Sequence, residues 1–325
     1  MPLHDVGYRA WPHTRALEAS RWWVLALTGI ALVWRGTWLK RSLSLTWIPA
    51  LFAAGAFALY EQSISRPELR QGVAQLVRMA DGPRSLAENI SADPEQSRHT
   101  VWSLLLLAYL RQPQMHIIVL LVGLIAPRLI SYDIRTRGYL LYFSRPIKVV
   151  DYVLGKSFVL WFYLFMVTAL PALILYVIGL LISPDPTLFG STWDLPLRVL
   201  AASCVMIIPT SAVALAFSSM TVESRYASFA WFASWAVGWT TYLMLTFVEN
   251  ATLHPDRPRR RGRDFEWPTR WEYVSPYHVL GRVEQWVFGL TPPDINIVLH
   301  MVLLASVTTI ALAIVFYRVR RVSQM

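Results

Sequence analysis

Phe158–Ile182 reads FVLWFYLFMVTALPALILYVIGLLI, twenty-five residues without a charged side chain. A helix needs about 20 mostly apolar residues to cross the hydrocarbon core of a bilayer, and one that is apolar all round has no face to turn to water. This stretch is therefore read as a membrane span. Outward from it, five more blocks share its character: Leu43–Tyr60, Met115–Ser131, Val199–Phe217, Tyr226–Val248 and Ile295–Tyr317. A shorter apolar stretch, Val101–Leu110, is divided from the second block by Arg111, Gln112 and Pro113. Arginine at mid-membrane is costly, so 101–110 is expected as an outer-face helix leading into the span. The fold class that follows is an all-α polytopic membrane protein with about six transmembrane helices.

Composition points the same way. Of 325 residues, 55% are hydrophobic and 15% charged, and the mean hydropathy is +0.41, whereas a soluble domain carries about 25% charge. The net charge of +10 would suit nucleic acid. In a chain this apolar it is read as the basic bias of cytoplasmic loops, and no nucleic-acid partner is expected. The single cysteine, Cys204, lies in an apolar block and excludes an internal disulfide framework.

Residues 21–35 differ from the spans. Between Arg21 and Arg35 stand only thirteen residues, WWVLALTGIALVW, too few for a span and without the small-residue cleavage pattern of a signal peptide. Trp22, Trp23, Trp34 and Trp38 favour the headgroup region, so this is read as an amphipathic interfacial helix in an N-terminal segment 1–41, ahead of a membrane domain 42–325. Arg35, Lys40 and Arg41 place the N-terminus in the cytoplasm, and six crossings return the C-terminus, with Arg318, Arg320 and Arg321, to the same side. Outer segments 61–114 and 249–294 then alternate with a cytoplasmic loop, 132–157. The basic knot Arg257–Arg263 fits this poorly, because it falls outside. A seventh crossing at 21–35 would move one terminus. Pro171 and Pro209 lie in mid-span, and each is expected to kink its helix. Such kinks act as hinges in some proteins and only in packing in others, and both readings stay open.

No H-E-x-x-H, no Cys/His cluster at metal spacing and no G-x-S-x-G occurs, so no catalytic, cofactor or metal site is expected and the chain is not read as an enzyme. Gly155-Lys156-Ser157 looks like the end of a phosphate-binding loop. The first glycine of that pattern falls on Val150, however, and no strand precedes it. The spans also lack the Asp or Glu that ion-coupled carriers place near mid-membrane. His116, His300 and Cys204 are the nearest candidates, and each is read as interfacial or packed structure. Energy for transport would have to come from another protein.

Between the second and third spans lies Tyr132–Lys156, YDIRTRGYLLYFSRPIKVVDYVLGK. It is too basic for a span and too apolar for a linker. It is read as a short amphipathic helix broken at Arg145-Pro146, either resting on the membrane surface or docking a partner. This pattern resembles ABC-2 type transporter permeases. The shared features are an acidic residue after span two (here Asp133, where the family often has Glu), Gly138-Tyr139-Leu140, Ser144-Arg145-Pro146-Ile147, and Tyr152-x-Leu154-Gly155-Lys156 leading into span three. Six spans behind an interfacial "elbow" helix match as well, and Val274–His278 resembles a looser signature of the family's last outer segment.

The resemblance implies an exporter-type permease subunit in a bacterial cytoplasmic (inner) membrane, surrounded by lipid and paired with a second permease subunit as a homo- or heterodimer. Two copies of a separate ABC ATPase would hold the ATP and Mg, and this chain would bind no cofactor. The loop would be the coupling helix seated in a cleft of the ATPase. Asp133, Arg135, Arg137 and Arg145 would make polar contacts, with Pro146 and Lys148 in the same segment. Tyr139, Leu140 and Tyr142 would form an apolar plug, and Glu223 in the 218–225 connector a second, smaller contact.

Two other classes share parts of this pattern. A membrane-embedded enzyme acting on lipids or isoprenoids would use outer residues such as His254, Asp264, Glu266, Glu272 and His278, which lack metal spacing. A non-transporting scaffold or assembly factor would share the topology without an ATPase-docking loop. Charge-poor, aromatic spans would suit an amphipathic substrate, and segment 61–114 is long enough to hold a periplasmic or extracellular partner.

Overall fold

The computed structural model describes residues 21–79, 95, 97–144, 147–183, 188–253, 269–292 and 295–324. They form helices α1 (Arg21–Trp34), α2 (Thr37–Thr46), α3 (Ile48–Ser65), α4 (Arg70–Met79), α5 (Arg98–Pro113), α6 (Val119–Leu129), α7 (Ser131–Arg135), α8 (Tyr139–Phe143), α9 (Val149–Val167), α10 (Ala169–Ile182), α11 (Leu188–Thr192), α12 (Leu195–Met220), α13 (Ser224–Leu253), α14 (Pro276–Val287) and α15 (Ile297–Ser323). There is no strand among the described residues. Among the described residues, five helical rods are long and apolar enough to cross a bilayer: Lys40–Ser65, Arg98–Arg135, Val149–Ile182, Leu188–Met220 and Ile297–Ser323. The chain is an all-α, multi-pass membrane protein.

The expected fifth span, Tyr226–Val248, lies inside α13. At thirty residues this helix runs about 45 Å, enough to cross. It is less apolar than the five rods, because Tyr226, Trp231, Trp235, Trp239 and Tyr242 stand among serines and threonines. Apolarity and length together therefore single out five helices rather than six.

The second span also departs from expectation. Arg111-Gln112-Pro113 does not divide two helices; α5 continues through a π turn, Gln114–Ile118, into α6, and Arg98–Arg135 is one 38-residue rod. Its length, about 57 Å, exceeds the hydrocarbon thickness of ~30 Å. Arg111 is tolerated because α14 covers it: its guanidinium lies 5.1 Å from the Tyr277 ring centre, and a Cβ on Gly281 would stand 3.1 Å from its Cζ.

Two apolar layers stack along the bundle. One gathers Ile118–Ile130 of the second rod, Tyr152–Val167 of α9, Met206–Ala216 of α12, and Ala311, Val315 and Val319 of α15. The other gathers Phe57 and Tyr60 of α3, Val101–Leu110 of α5, Ala172–Tyr176 of α10 and Leu195–Ala202 of α12. Helix α12 runs through both, and its small residues Ala212, Ala214, Ala216, Ser218 and Ser219 are buried, as close packing of spanning helices requires. Helix α1 runs alongside α9 in the same sense, from Gly155, where a Cβ would come within 2.8 Å of Leu25, to Tyr163, whose hydroxyl donates to the Ile30 carbonyl at 2.8 Å.

The prolines behave differently from one another. Pro171 has no N–H for the Val167 carbonyl, and the helix breaks at Thr168 (φ −105°, ψ −72°). The Tyr109 hydroxyl donates to that freed carbonyl at 3.2 Å. Pro209 lies within α12, which is helical from Leu195 to Met220. A third proline, Pro127, sits inside α6. Acidic residues are not absent from the rods either. Glu61 is buried in α3, where Arg98 Nε, Arg98 Nη2 and Trp102 Nε1 all donate to it. Such pairing is what makes a buried carboxylate tolerable.

Candidate functional site

The loop between the second and third rods is closed at its base by Asp133. Tyr152 Oη donates to Asp133 Oδ2 at 2.7 Å, and Lys156 Nζ lies 2.7 Å from the same oxygen. The Lys156 ammonium also stands 5.5 Å from the ring centres of Tyr142 and Tyr152, within reach of cation–π attraction. Tyr142 and Phe143 pack on Tyr152 at 5.6 and 5.8 Å between ring centres. Burial first, and then the Asp133 charge, raises the pKa of the Tyr142 hydroxyl. Asp133, expected to face a partner, is thus turned inward and only 8% exposed. It joins α7 to α9 so that the loop begins and ends on one ion pair. The same contact accounts for Gly155-Lys156: the lysine closes the loop and the glycine admits α1.

Beyond this base the chain turns sharply. Arg137 adopts a left-handed conformation (φ 55°) between α7 and α8, a strained state for a residue with a Cβ. The turn is held by Arg137 N–H to the Ile134 carbonyl at 3.3 Å and Leu140 N–H to the Arg137 carbonyl at 3.1 Å. Its effect is to present α8 with Leu140 and Leu141 outward, 50% and 75% exposed, while Tyr139 and Tyr142 are half-buried. The apolar prominence is therefore Leu140–Leu141. Leu141 is absent from the residues expected from sequence, and the two tyrosines lie beneath it rather than in it. Arg137 and Lys148 are exposed beside it. Arg145 and Pro146 lie outside the described residues.

The 218–225 connector meets this loop. Arg135 Nη1 and Glu223 Oε2 are 3.6 Å apart, both partly exposed, so the two candidate contacts form one surface. Met220, Val222 and Tyr226 add exposed apolar area on the connector side. The carbonyls that end α12 are all engaged from outside the helix ladder: Phe217 by Thr221 Oγ1 at 3.2 Å, Ser218 by Ser131 Oγ at 2.7 Å, and Ser219 and Met220 by Arg318 at 3.4 and 3.3 Å. Both loops and the last turns of α15 are one packed unit.

Of the residues that would serve an outer enzymatic site, Glu272 and His278 are described. Glu272 is held by Arg282 Nε at 2.7 Å. His278 lies against the rings of Trp239 and Tyr242, with burial first, then Arg111 and Arg282, lowering its pKa to about 4. His254, Asp264 and Glu266 lie outside the described residues, as does the 257–263 knot. Among the described residues no three His, Cys, Asp or Glu side chains group as a metal site. His116 and Cys204 are exposed, and His300 is buried with Nδ1 3.0 Å from the Asn296 carbonyl. No protein-family model matches the chain, and no curated protein matches it in sequence.

Proposed function

We propose that this chain is the membrane-spanning subunit of an ATP-driven transporter of the ABC-2 type, an exporter-type permease. Its ATPase would be a separate protein that docks on the 132–156 loop. The observation that carries this reading is the shape of that loop: an exposed Leu140–Leu141 prominence with Arg135, Arg137 and Lys148 around it, set on a base locked by Asp133, Tyr152 and Lys156. An apolar plug on a rigid mount transmits displacement, whereas a flexible loop would absorb it. The Arg135–Glu223 pair supports the connector as part of the same docking face.

In this reading α13 is the fifth of six crossings, both termini are cytoplasmic, α1 is the elbow helix at the interface, and the membrane is a bacterial inner membrane. Two such subunits, alike or different, would assemble with two ATPase chains. The ATP and Mg would stay on the ATPase, and Pro171, with its broken helix, would be a hinge for alternating access. Charge reversal at Arg137 and Arg145 is expected to release the ATPase from complex purified in detergent. Unchanged co-purification overturns the assignment.

A further inference from the structure

We propose that the Ser218 hydroxyl is a hinge pin for the second rod, a positioning residue through which movement of the loop is passed into the membrane; this rests on the coupling role given to the loop above. The local chemistry begins with Pro127, which has no N–H to return to the Gly123 carbonyl. Ser228 Oγ, on α13, supplies the missing donor at 3.0 Å. A turn later the rod bends at Ile130 (φ −112°, ψ −46°). In an unbroken helix the Ile130 and Ser131 amides would bond to the Ala126 and Pro127 carbonyls. Here both amides donate to Ser218 Oγ instead, at 3.2 and 3.1 Å, and that hydroxyl donates onward to the Pro127 carbonyl at 3.2 Å. Ser131 Oγ donates in return to the Ser218 carbonyl at 2.7 Å. One side chain of α12 is spliced into the main-chain ladder of its neighbour.

The splice is exchangeable. When Ser218 withdraws, the Ile130 and Ser131 amides recover the Ala126 and Pro127 carbonyls, so each buried main-chain donor keeps an acceptor in both forms. Two forms in which those main-chain donors are both paired make a bistable element, and such an element converts a small push into a discrete rearrangement. Ser218 and Ser131 are wholly buried, so water does not compete for these bonds. The bend lies directly above Asp133, which fastens the loop to α9. A loop displaced from below therefore acts on the splice first.

The test is a distance measurement on the whole chain in lipid vesicles, without an ATPase. Spin labels are placed at Leu141→Cys and Phe189→Cys, both exposed positions, in a Cys204→Ser background. Ser218→Ala is expected to displace the main distance peak by ~3 Å or more, two residues of helix rise. Ser218→Thr, which keeps the hydroxyl, should give the parent distribution. Pro127→Ala, which restores the missing N–H and favours the continuous ladder, should shift the peak in the same direction, and it decides the matter if Ser218→Ala does not fold. A parent-like distribution in Ser218→Ala or Pro127→Ala, or an equal shift in Ser218→Thr, overturns the proposal. Docking of an ATPase is judged separately by co-purification, so failure of that reading and failure of the hinge are told apart.

Discussion

Replacing Lys156 by methionine would leave the Asp133 carboxylate at the base of the loop with the Tyr152 hydroxyl as its remaining partner. Methionine keeps most of the lysine stem and so isolates the charge. Stripping one partner from a buried ion pair costs about 3–5 kcal/mol. Here the two side chains keep 13% and 11% exposure and Tyr152 still donates, which lowers the cost to about 2 kcal/mol. That cost falls on the closed loop, so its open population rises about 30-fold, at 1.4 kcal/mol per factor of ten. Limited trypsin digestion reads this change, because cleavage after Arg135 follows the open population when opening and closing are fast. Asp133→Asn combined with Lys156→Met removes both charges and is expected to recover most of the loss. Parent-like cleavage of Lys156→Met, or no recovery in the double variant, would refute the locking role of the pair.

Three other outcomes follow from the same structure. Tyr109→Phe strips the Val167 carbonyl of its donor beside Pro171 and is expected to cost about 1 kcal/mol, seen as a lower thermal midpoint in detergent. In a Pro171→Ala background, where the helix supplies its own N–H, that loss should disappear. Leu141→Asp changes a side chain 75% exposed, so the thermal midpoint should hold while the ATPase is lost on purification. Stability should also fall as pH is lowered from about 6.5 toward about 4. In that window the unfolded chain takes up a proton that His278, held down to about 4 by burial and then by Arg111 and Arg282, does not. Thermal melts at stepped pH should show this slope flattened in His278→Gln.

The spans were legible because a charge-free block of bilayer length has one physical reading, as Phe158–Ile182 shows. The division at Arg111 was not, because what shelters that arginine is Tyr277 and Gly281, far along the chain. Residue type marked Asp133 as notable, but its inward direction depends on Tyr152 and Lys156 arriving from the next helix. Leu141 could have been found beside Leu140 once α8 was allowed a single short turn with its tyrosines inward. Ser131 and Ser218 carry no pattern at all: a buried serine and an exposed one look alike in sequence, and only packing of α6 against α12 gives them partners. Pro127 was readable as a third in-span proline, though Ser228 and Ser218 are what give it consequence.

The central claim, that the Leu140–Leu141 prominence seats in an ATPase, is tested most directly by site-specific photo-cross-linking in intact cells. A benzophenone amino acid is placed at Leu141, with Phe52 on the exposed face of α3 as the control position. The expected result is a protein adduct at Leu141 that mass spectrometry identifies as a nucleotide-binding ATPase, with no such adduct at Phe52. Adducts at Leu141 confined to lipid, or to a protein that binds no nucleotide, would contradict the account.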